Sequence, residues 1–296
     1  MTSPTSRTPG PASPADPPRP AKPPEVEEWV DERIHRPLAR RVVALLVRTP
    51  ITPNQVTLLS ALVGVAAGVM AASAVTRPAW RVGAGLLLFA SVVLDCCDGQ
   101  LARARGVSST YGAILDGIAD YVVGIAIGTG AGAMVVGMAG NRWLWLLALA
   151  GVVSSAVQSA LFDHAKTRYI ARVGAGYRER EEDLGLLTAQ RDAAWRAHRW
   201  REALLLAVYL QYSRAQHAAL AIPAVADPAA FRATYAGRMR AWTLQGIGTH
   251  FALGYLLLAA SAVWPPALAM YFVICATVLN LYLLALLRGE PRGTLA

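Results

Sequence analysis

Residues 95–120 read D-C-C-D-G-Q-L-A-R-A-R-G-V-S-S-T-Y-G-A-I-L-D-G-I-A-D and place four carboxylates, Asp95, Asp98, Asp116 and Asp120, in otherwise apolar sequence. At the centre of a membrane helix each Asp is unfavourable by roughly 2.5–3.5 kcal/mol, so such a cluster needs a compensating positive charge. On helices, Asp95 and Asp98 share one face, and so do Asp116 and Asp120, so two helix faces can converge on one site. Carboxylates are hard oxygen ligands that suit Mg2+ or Mn2+, above all when a substrate phosphate supplies further oxygens. Gly99 and Gly112 permit close approach of backbone and ligand. Arg103 offers a planar guanidinium that grips two phosphate oxygens at once.

The rest of the chain supplies the membrane. Of 296 residues, 55% are hydrophobic and 16% charged, with a mean hydropathy of +0.38, which excludes an ordinary soluble domain. The apolar stretches predict an all-α polytopic protein with six transmembrane helices over residues 55–75, 82–101, 112–138, 143–161, 244–264 and 267–287. With both termini cytosolic, only Arg77, Arg81 and Arg142 of the 28 Lys and Arg fall in outer loops, as the positive-inside rule favours. That topology puts the carboxylates at the cytoplasmic face.

The pattern D-x2-D-G-x2-A-R-x8-G-x3-D-x3-D, met by Asp95, Asp98, Gly99, Ala102, Arg103, Gly112, Asp116 and Asp120 without a departure, resembles the signature of the CDP-alcohol phosphotransferases. The resemblance implies that Gly99, Ala102, Arg103 and Gly112 hold the CMP part of a CDP-linked donor. It implies Asp95, Asp98 and Asp116 as ligands of Mg2+ (or Mn2+), two ions in all, with Asp120 among the ligands and also the general base. The implied reaction moves a phosphatidyl group from CDP-diacylglycerol to a small alcohol acceptor and releases CMP, in phospholipid biosynthesis. Transfer of a CDP-linked head group to a lipid or inositol-type alcohol is the alternative within the family. The T-P-N-Q-V-T stretch at residues 52–57 opens a helix through Pro53, and the resemblance adds Asn54 and Thr57 to the nucleotide site. Lys166 and Arg168 read as snorkelling cations at a span end. In phosphatidylglycerol phosphate and phosphatidylinositol phosphate synthases, which this stretch resembles, such cations hold a phosphorylated acceptor. Asp163 and His164 fall at the same end, in that pocket or at the interface. A homodimer is implied by the resemblance alone.

Other segments read more plainly. Residues 1–24, dense in Pro, Ser and Thr, predict a disordered cytosolic tail without the features of a secretory signal. Residues 25–50 predict an interfacial amphipathic helix, with Trp29, Val30, Ile34, Leu38, Val42, Leu45 and Leu46 on its apolar side and arginines facing anionic lipid, broken or kinked at Pro37. Residues 51–288 form the membrane domain, with a cytosolic helical insertion at about 171–243 and a tail at 289–296. Within the insertion one helix is expected over residues 186–220, with Trp195, Leu204, Leu205, Val208 and Tyr212 as its apolar face, before breaks at Pro223 and Pro228. Arg238 and Arg240 enter the fifth span. Thr249 and His250 in that span pair with neighbouring helices. Cys96, Cys97 and Cys275 have neither disulfide nor zinc spacing. The net charge of +9 comes without a compact basic domain, so no nucleic-acid partner is expected. An ion-coupled transporter is the reading from another class, but a proton path distributes its carboxylates across the bilayer, whereas these gather at one face. A non-catalytic scaffold sits poorly with an intact signature.

Overall fold

The computed structural model describes residues 23–107, 110–173, 184–219 and 225–289. Most of the expected N-terminal tail, Pro223 and the expected C-terminal tail lie outside these residues. Among the described residues every regular element is helical, as expected.

Helices α2 (Pro53–Ala72), α3 (Pro78–Arg105), α4 (Thr110–Ala139) and α5 (Leu144–Val173) are followed at the other end of the chain by α9 (Ile247–Ala260), α10 (Ala267–Val273) and α11 (Leu279–Arg288). Five helices are long and apolar enough to cross a membrane, the fifth running from Ala267 to Arg288 through α10, the π-turn Ile274–Val278 and α11. The expected span over 244–264 differs. Its helix is the 14-residue α9, about 21 Å at 1.5 Å per residue against a hydrocarbon core of about 30 Å. It is shortened by the 3-10 turn Thr243–Gln245 before it and by the Ser261–Pro266 turns after it.

α2 packs between α3 and α4. Its approach to α4 is backbone on backbone, because a Cβ on Gly68 would lie 2.4 Å from the Ala126 carbonyl and one on Gly130 would lie 2.0 Å from the Gly68 carbonyl. Only glycine fits at those two positions. With no water to favour burial, small residues of this kind let membrane helices associate through close contact. Toward α3 the tie is polar, Ser91 Oγ donating to the Ser60 carbonyl at 2.8 Å.

Arg81, counted from sequence as an outer-loop charge, is buried in the first turns of α3. Its Nε donates to the Ala74 carbonyl at 3.1 Å, Nη1 to the Ser261 carbonyl at 2.8 Å and Nη2 to the Val75 carbonyl. One guanidinium thus satisfies carbonyls that α2 and α9 leave open at their C-terminal ends, where a cation is favoured. Replacing it by Met removes the side-chain donor from the Val75 and Ser261 carbonyls in an apolar setting, while the Ala74 carbonyl keeps the Arg77 amide. Arg81→Met is therefore expected to lose on the order of 3 kcal/mol, read as a lower thermal midpoint in detergent; an unchanged midpoint would contradict the capping role.

The N-terminal segment departs furthest from expectation. Helix α1 (Arg36–Leu46) is preceded by the π-turn Asp31–His35, in which the Arg36 amide reaches back to the Asp31 carbonyl. Pro37 has no N–H to donate and would crowd the carbonyl one turn back, and the wider π-turn accommodates it without ending the helix. The apolar side does not face only outward, since Ala39 and Val43 pack with Val56, Val93, Cys97 and Leu101 of α2 and α3. Trp29 and Leu45 stay exposed.

Within the insertion, the stretch expected as one helix over residues 186–220 is two helices forming a hairpin. α6 (Leu184–Arg196) and α7 (Trp200–Ala219) pack on each other, separated where His198 adopts a positive φ of 60°, the left-handed conformation that ends helices. The break changes which face is inside. Leu187, Ala194, Ala203, Leu206 and Leu210 are buried against Ile114 of α4, while Trp195, Leu204 and Val208, expected on the apolar face, are exposed. The side chain of Tyr212 lies outside the description. Pro228 opens α8 (Pro228–Trp242), capped by the Asp227 carboxylate on the Ala229 and Ala230 amides.

Candidate active site

The end of α3 and the start of α4 bring the motif together. α3 carries Asp95, Asp98 and Arg103 and stops at Gly106, whose φ of 64° is the left-handed conformation glycine adopts without cost. α4 then returns with Asp116 and Asp120. Asp95, Asp98 and Asp116 each offer a carboxylate oxygen, and these oxygens all lie within 4.8 Å of one another. Asp98 is buried and accepts hydrogen bonds from the Thr57 hydroxyl and the Gly99 amide.

A cavity of about 310 Å3 opens on this trio. Gly99 and Arg103 line it, with the Arg103 guanidinium folded over Gly99, 3.3 Å from where a Cβ would stand. Lys166 lines it too, with Asp163 at 3.5 Å. Asp120 lies one helical turn beyond Asp116 and lines a smaller adjoining cavity of about 60 Å3 with Ser60, Ser91 and Phe251. It does not join the trio's close-set oxygens.

Other expected site residues are placed differently. Thr57 is buried behind Asp98, oriented by it and by the Pro53 carbonyl. Asn54, Ala102, Gly112 and Arg168 are half-buried nearby without lining the larger cavity. His250 is buried within α9, 3.9 Å from the Cys275 sulfur. The cysteines are free.

The far wall comes from residues that no motif marked. Glu28, Asp31 and Arg36 from the N-terminal segment, Ser159 and Phe162 from α5, and Ile247 from α9 complete the cavity. The N-terminal segment is held there as a strap. Glu25 accepts from Tyr169 Oη at 2.6 Å and from Arg232 Nε at 2.6 Å. Burial pushes its pKa up, but the bonds from Arg232 and Tyr169 outweigh that and hold it below its ordinary value. Glu28 caps the N-terminus of α9, accepting from the Gly248 amide at 3.3 Å and the Thr249 amide at 2.8 Å. One sequence signal was present: Glu25, Glu27, Glu28, Asp31 and Glu32 are an odd set for a helix meant to rest on anionic lipid.

Burial and the neighbouring Asp31 push the Glu28 pKa from 4.5 up to about 7, against the lowering effect of the Thr249 and Gly248 bonds. The folded protein thus holds this proton more tightly than the unfolded chain. Its stabilisation is present at low pH and lost as pH rises from about 4.5 toward about 7. The thermal midpoint in detergent is expected to fall across that interval, and to fall less in Glu28→Gln; identical pH dependence in the two proteins would refute this.

The cluster's fit to a divalent cation follows from its own chemistry. Three hard oxygen donors converge at the mouth of a cavity, in helices where uncompensated carboxylates are unfavourable. The fold and site therefore define a polytopic helical membrane protein with an acidic centre able to hold a divalent metal ion beside a phosphate-suited arginine. Residues 50–178 match the model of the CDP-alcohol phosphatidyltransferase family. It is 39% identical over 117 residues to a bifunctional IPC transferase and DIPP synthase of Rubrobacter xylanophilus, covering 33% of this chain and 26% of that protein. It is 34% identical over 145 residues to a protein of the same description from Thermococcus kodakarensis, covering 47% and 31%. A phosphatidylinositol phosphate synthase of Mycobacteroides abscessus is 27% identical over 204 residues, 66% of this chain and 87% of that protein. The matches thus span only about a quarter to a third of the bifunctional relatives.

Proposed function

We propose that this protein transfers a substituted phosphate group from a CDP-linked donor, CDP-diacylglycerol, to the hydroxyl of a small alcohol, releasing CMP. The observation that carries the reading is the convergence of Asp95, Asp98 and Asp116 on a cavity also lined by Gly99 and Arg103. The family match and the phosphatidylinositol phosphate synthase relative support it.

Asp95, Asp98 and Asp116 would hold Mg2+ or Mn2+, with Thr57 fixing the Asp98 carboxylate. When bound, the metal would supply positive charge to the donor diphosphate and to the oxygens entering and leaving phosphorus. Gly99 leaves room for the nucleotide and Arg103 pairs with phosphate oxygens. Ala102, Gly112 and Asn54 shape the nucleotide end around them. Asp120, in the adjoining cavity, takes the proton of the acceptor hydroxyl. The acceptor oxygen then bonds to the lipid-side phosphorus, the bond from that phosphorus to the CMP oxygen breaks, and CMP leaves with the electron pair. Lys166, with Arg168 behind it, would face the phosphate of a phosphorylated acceptor.

The test is CMP release by the purified chain in detergent with Mg2+, CDP-diacylglycerol and, separately, glycerol 3-phosphate, inositol 1-phosphate, inositol or serine. Acceptor-dependent CMP supports the reading. CDP-lipid binding without CMP from any acceptor would redirect it to a CDP-linked small head group as donor.

A further inference from the structure

The wall facing the aspartates contains hydrogen-bonding groups that neither the metal trio nor the nucleotide end uses. Asp31 is the clearest. It lines both the larger cavity and the adjoining one that holds Asp120, and only Asp95, Cys96 and Ile247 also line both. An acceptor reaching from the open cavity toward Asp120 must pass it.

Its carboxylate is held in place from behind. His35 Nδ1 donates to Asp31 Oδ1 at 2.7 Å, and His35 Nε2 lies 3.3 Å from Tyr255 Oη. His35 is fully buried, with Phe89 and Tyr255 against its ring. The α9 backbone makes room as well, since a Cβ on Gly248 would lie 2.5 Å from Asp31 Oδ1. The strap that carries Asp31 is pinned on either side by Glu28 and by His35 itself. Asp31 Oδ2 remains, with no cation within ion-pair distance among the described residues, while Arg36 is engaged by Glu27.

A second observation comes from α5. Ser159 Oγ is buried, has no hydrogen-bond partner among the described residues, and belongs to a residue lining the same cavity. A buried hydroxyl with nothing to bond costs free energy comparable to a lost hydrogen bond. Two residues lining the space the acceptor occupies thus carry unused groups, one an acceptor and one able to donate or accept.

The chemistry of that space selects the ligand. A phosphate is repelled by Asp31, which lines the cavity with Ser159. A neutral hydroxyl suits both groups. We propose that Asp31 and Ser159 bind hydroxyls of the acceptor other than the one that reacts, with His35 as the positioning residue for Asp31. This rests on the transferase reading above.

The experiment uses the full chain in detergent with saturating CDP-diacylglycerol and whichever of the four acceptors gives the most CMP, with its monodeoxy analogues. Asp31→Asn keeps the shape and the oxygen that His35 holds. It is expected to raise the acceptor KM by about tenfold or more, leaving the KM for the CDP lipid unchanged. Ser159→Ala is expected to raise the acceptor KM several-fold. One monodeoxy analogue should lose as much with the natural chain as Asp31→Asn loses, and that variant should lose nothing further with the same analogue. An unchanged acceptor KM in both variants overturns the proposal. So does an equal penalty for every analogue in natural chain and variant, or serine as the acceptor that depends on Asp31. If Asp31→Asn fails to fold, Ser159→Ala decides, because its hydroxyl bonds nothing among the described residues. No CMP from the natural chain with any acceptor would instead sink the transferase reading, and this assignment with it.

Discussion

Asp120→Asn is expected to leave the protein folded and able to bind a CDP lipid, and to remove turnover. A general base contributes about 10^2–10^4-fold, and that is the role proposed for this carboxylate. Asp120 stands one turn deeper than the trio, in its own small cavity beside Ser60 and Ser91. Its removal therefore spares the three oxygens suited to the metal. The measurement pairs acceptor-dependent CMP release with metal-dependent binding of CDP-diacylglycerol. Lost turnover with retained binding supports the base. Retained turnover refutes it, and joint loss of both would place Asp120 among the metal ligands.

Chelation of divalent ions is expected to be equally severe, and Asp116→Asn should mimic it. Several kcal/mol of charge stabilisation at phosphorus corresponds to a loss on the order of 10^3-fold in rate. A readout independent of turnover separates a metal site from a structural acid cluster. With no metal present, three carboxylates whose oxygens lie within 4.8 Å repel one another, so Asp116→Asn should raise the thermal midpoint of chelator-treated protein. Mn2+ should raise the midpoint of the natural chain, by mass action on the folded state, and leave that of Asp116→Asn nearly unchanged. An equal Mn2+ response in both proteins would remove Asp116 from the ligand set.

The sequence made the centre of the site legible and left its surroundings obscure. Two aspartates three apart on one helix and a third at the start of the next must share faces, so helical spacing alone brings Asp95, Asp98 and Asp116 together. Length and hydropathy found the long helices for the same reason. The opposite wall was hidden because Glu28 and His35, which holds Asp31, have partners more than two hundred residues away, Gly248, Thr249 and Tyr255, and no local pattern encodes such a pairing. Arg81 looked like a loop charge because hydropathy cannot tell an arginine facing water from one capping two helix ends. The hairpin break was missed because His198 takes a left-handed conformation without the glycine that usually announces it. Pro37 announced a disturbance correctly, but whether a helix stops or widens there depends on the packing of α1 on α3.

The strap also orders events in time. Glu25, Glu28 and His35 leave the ribosome more than two hundred residues before Arg232, Gly248, Thr249 and Tyr255, which hold them. A nascent chain extending only to α5 already possesses its acidic trio and Tyr169 to hold Glu25, yet the α8 and α9 partners of Glu25, Glu28 and His35 are still missing. Loop closure over more than two hundred residues is slow compared with pairing of neighbouring helices. The cavity is therefore closed only after α9 has been made, so a shorter nascent chain holds the acidic trio without the wall opposite it.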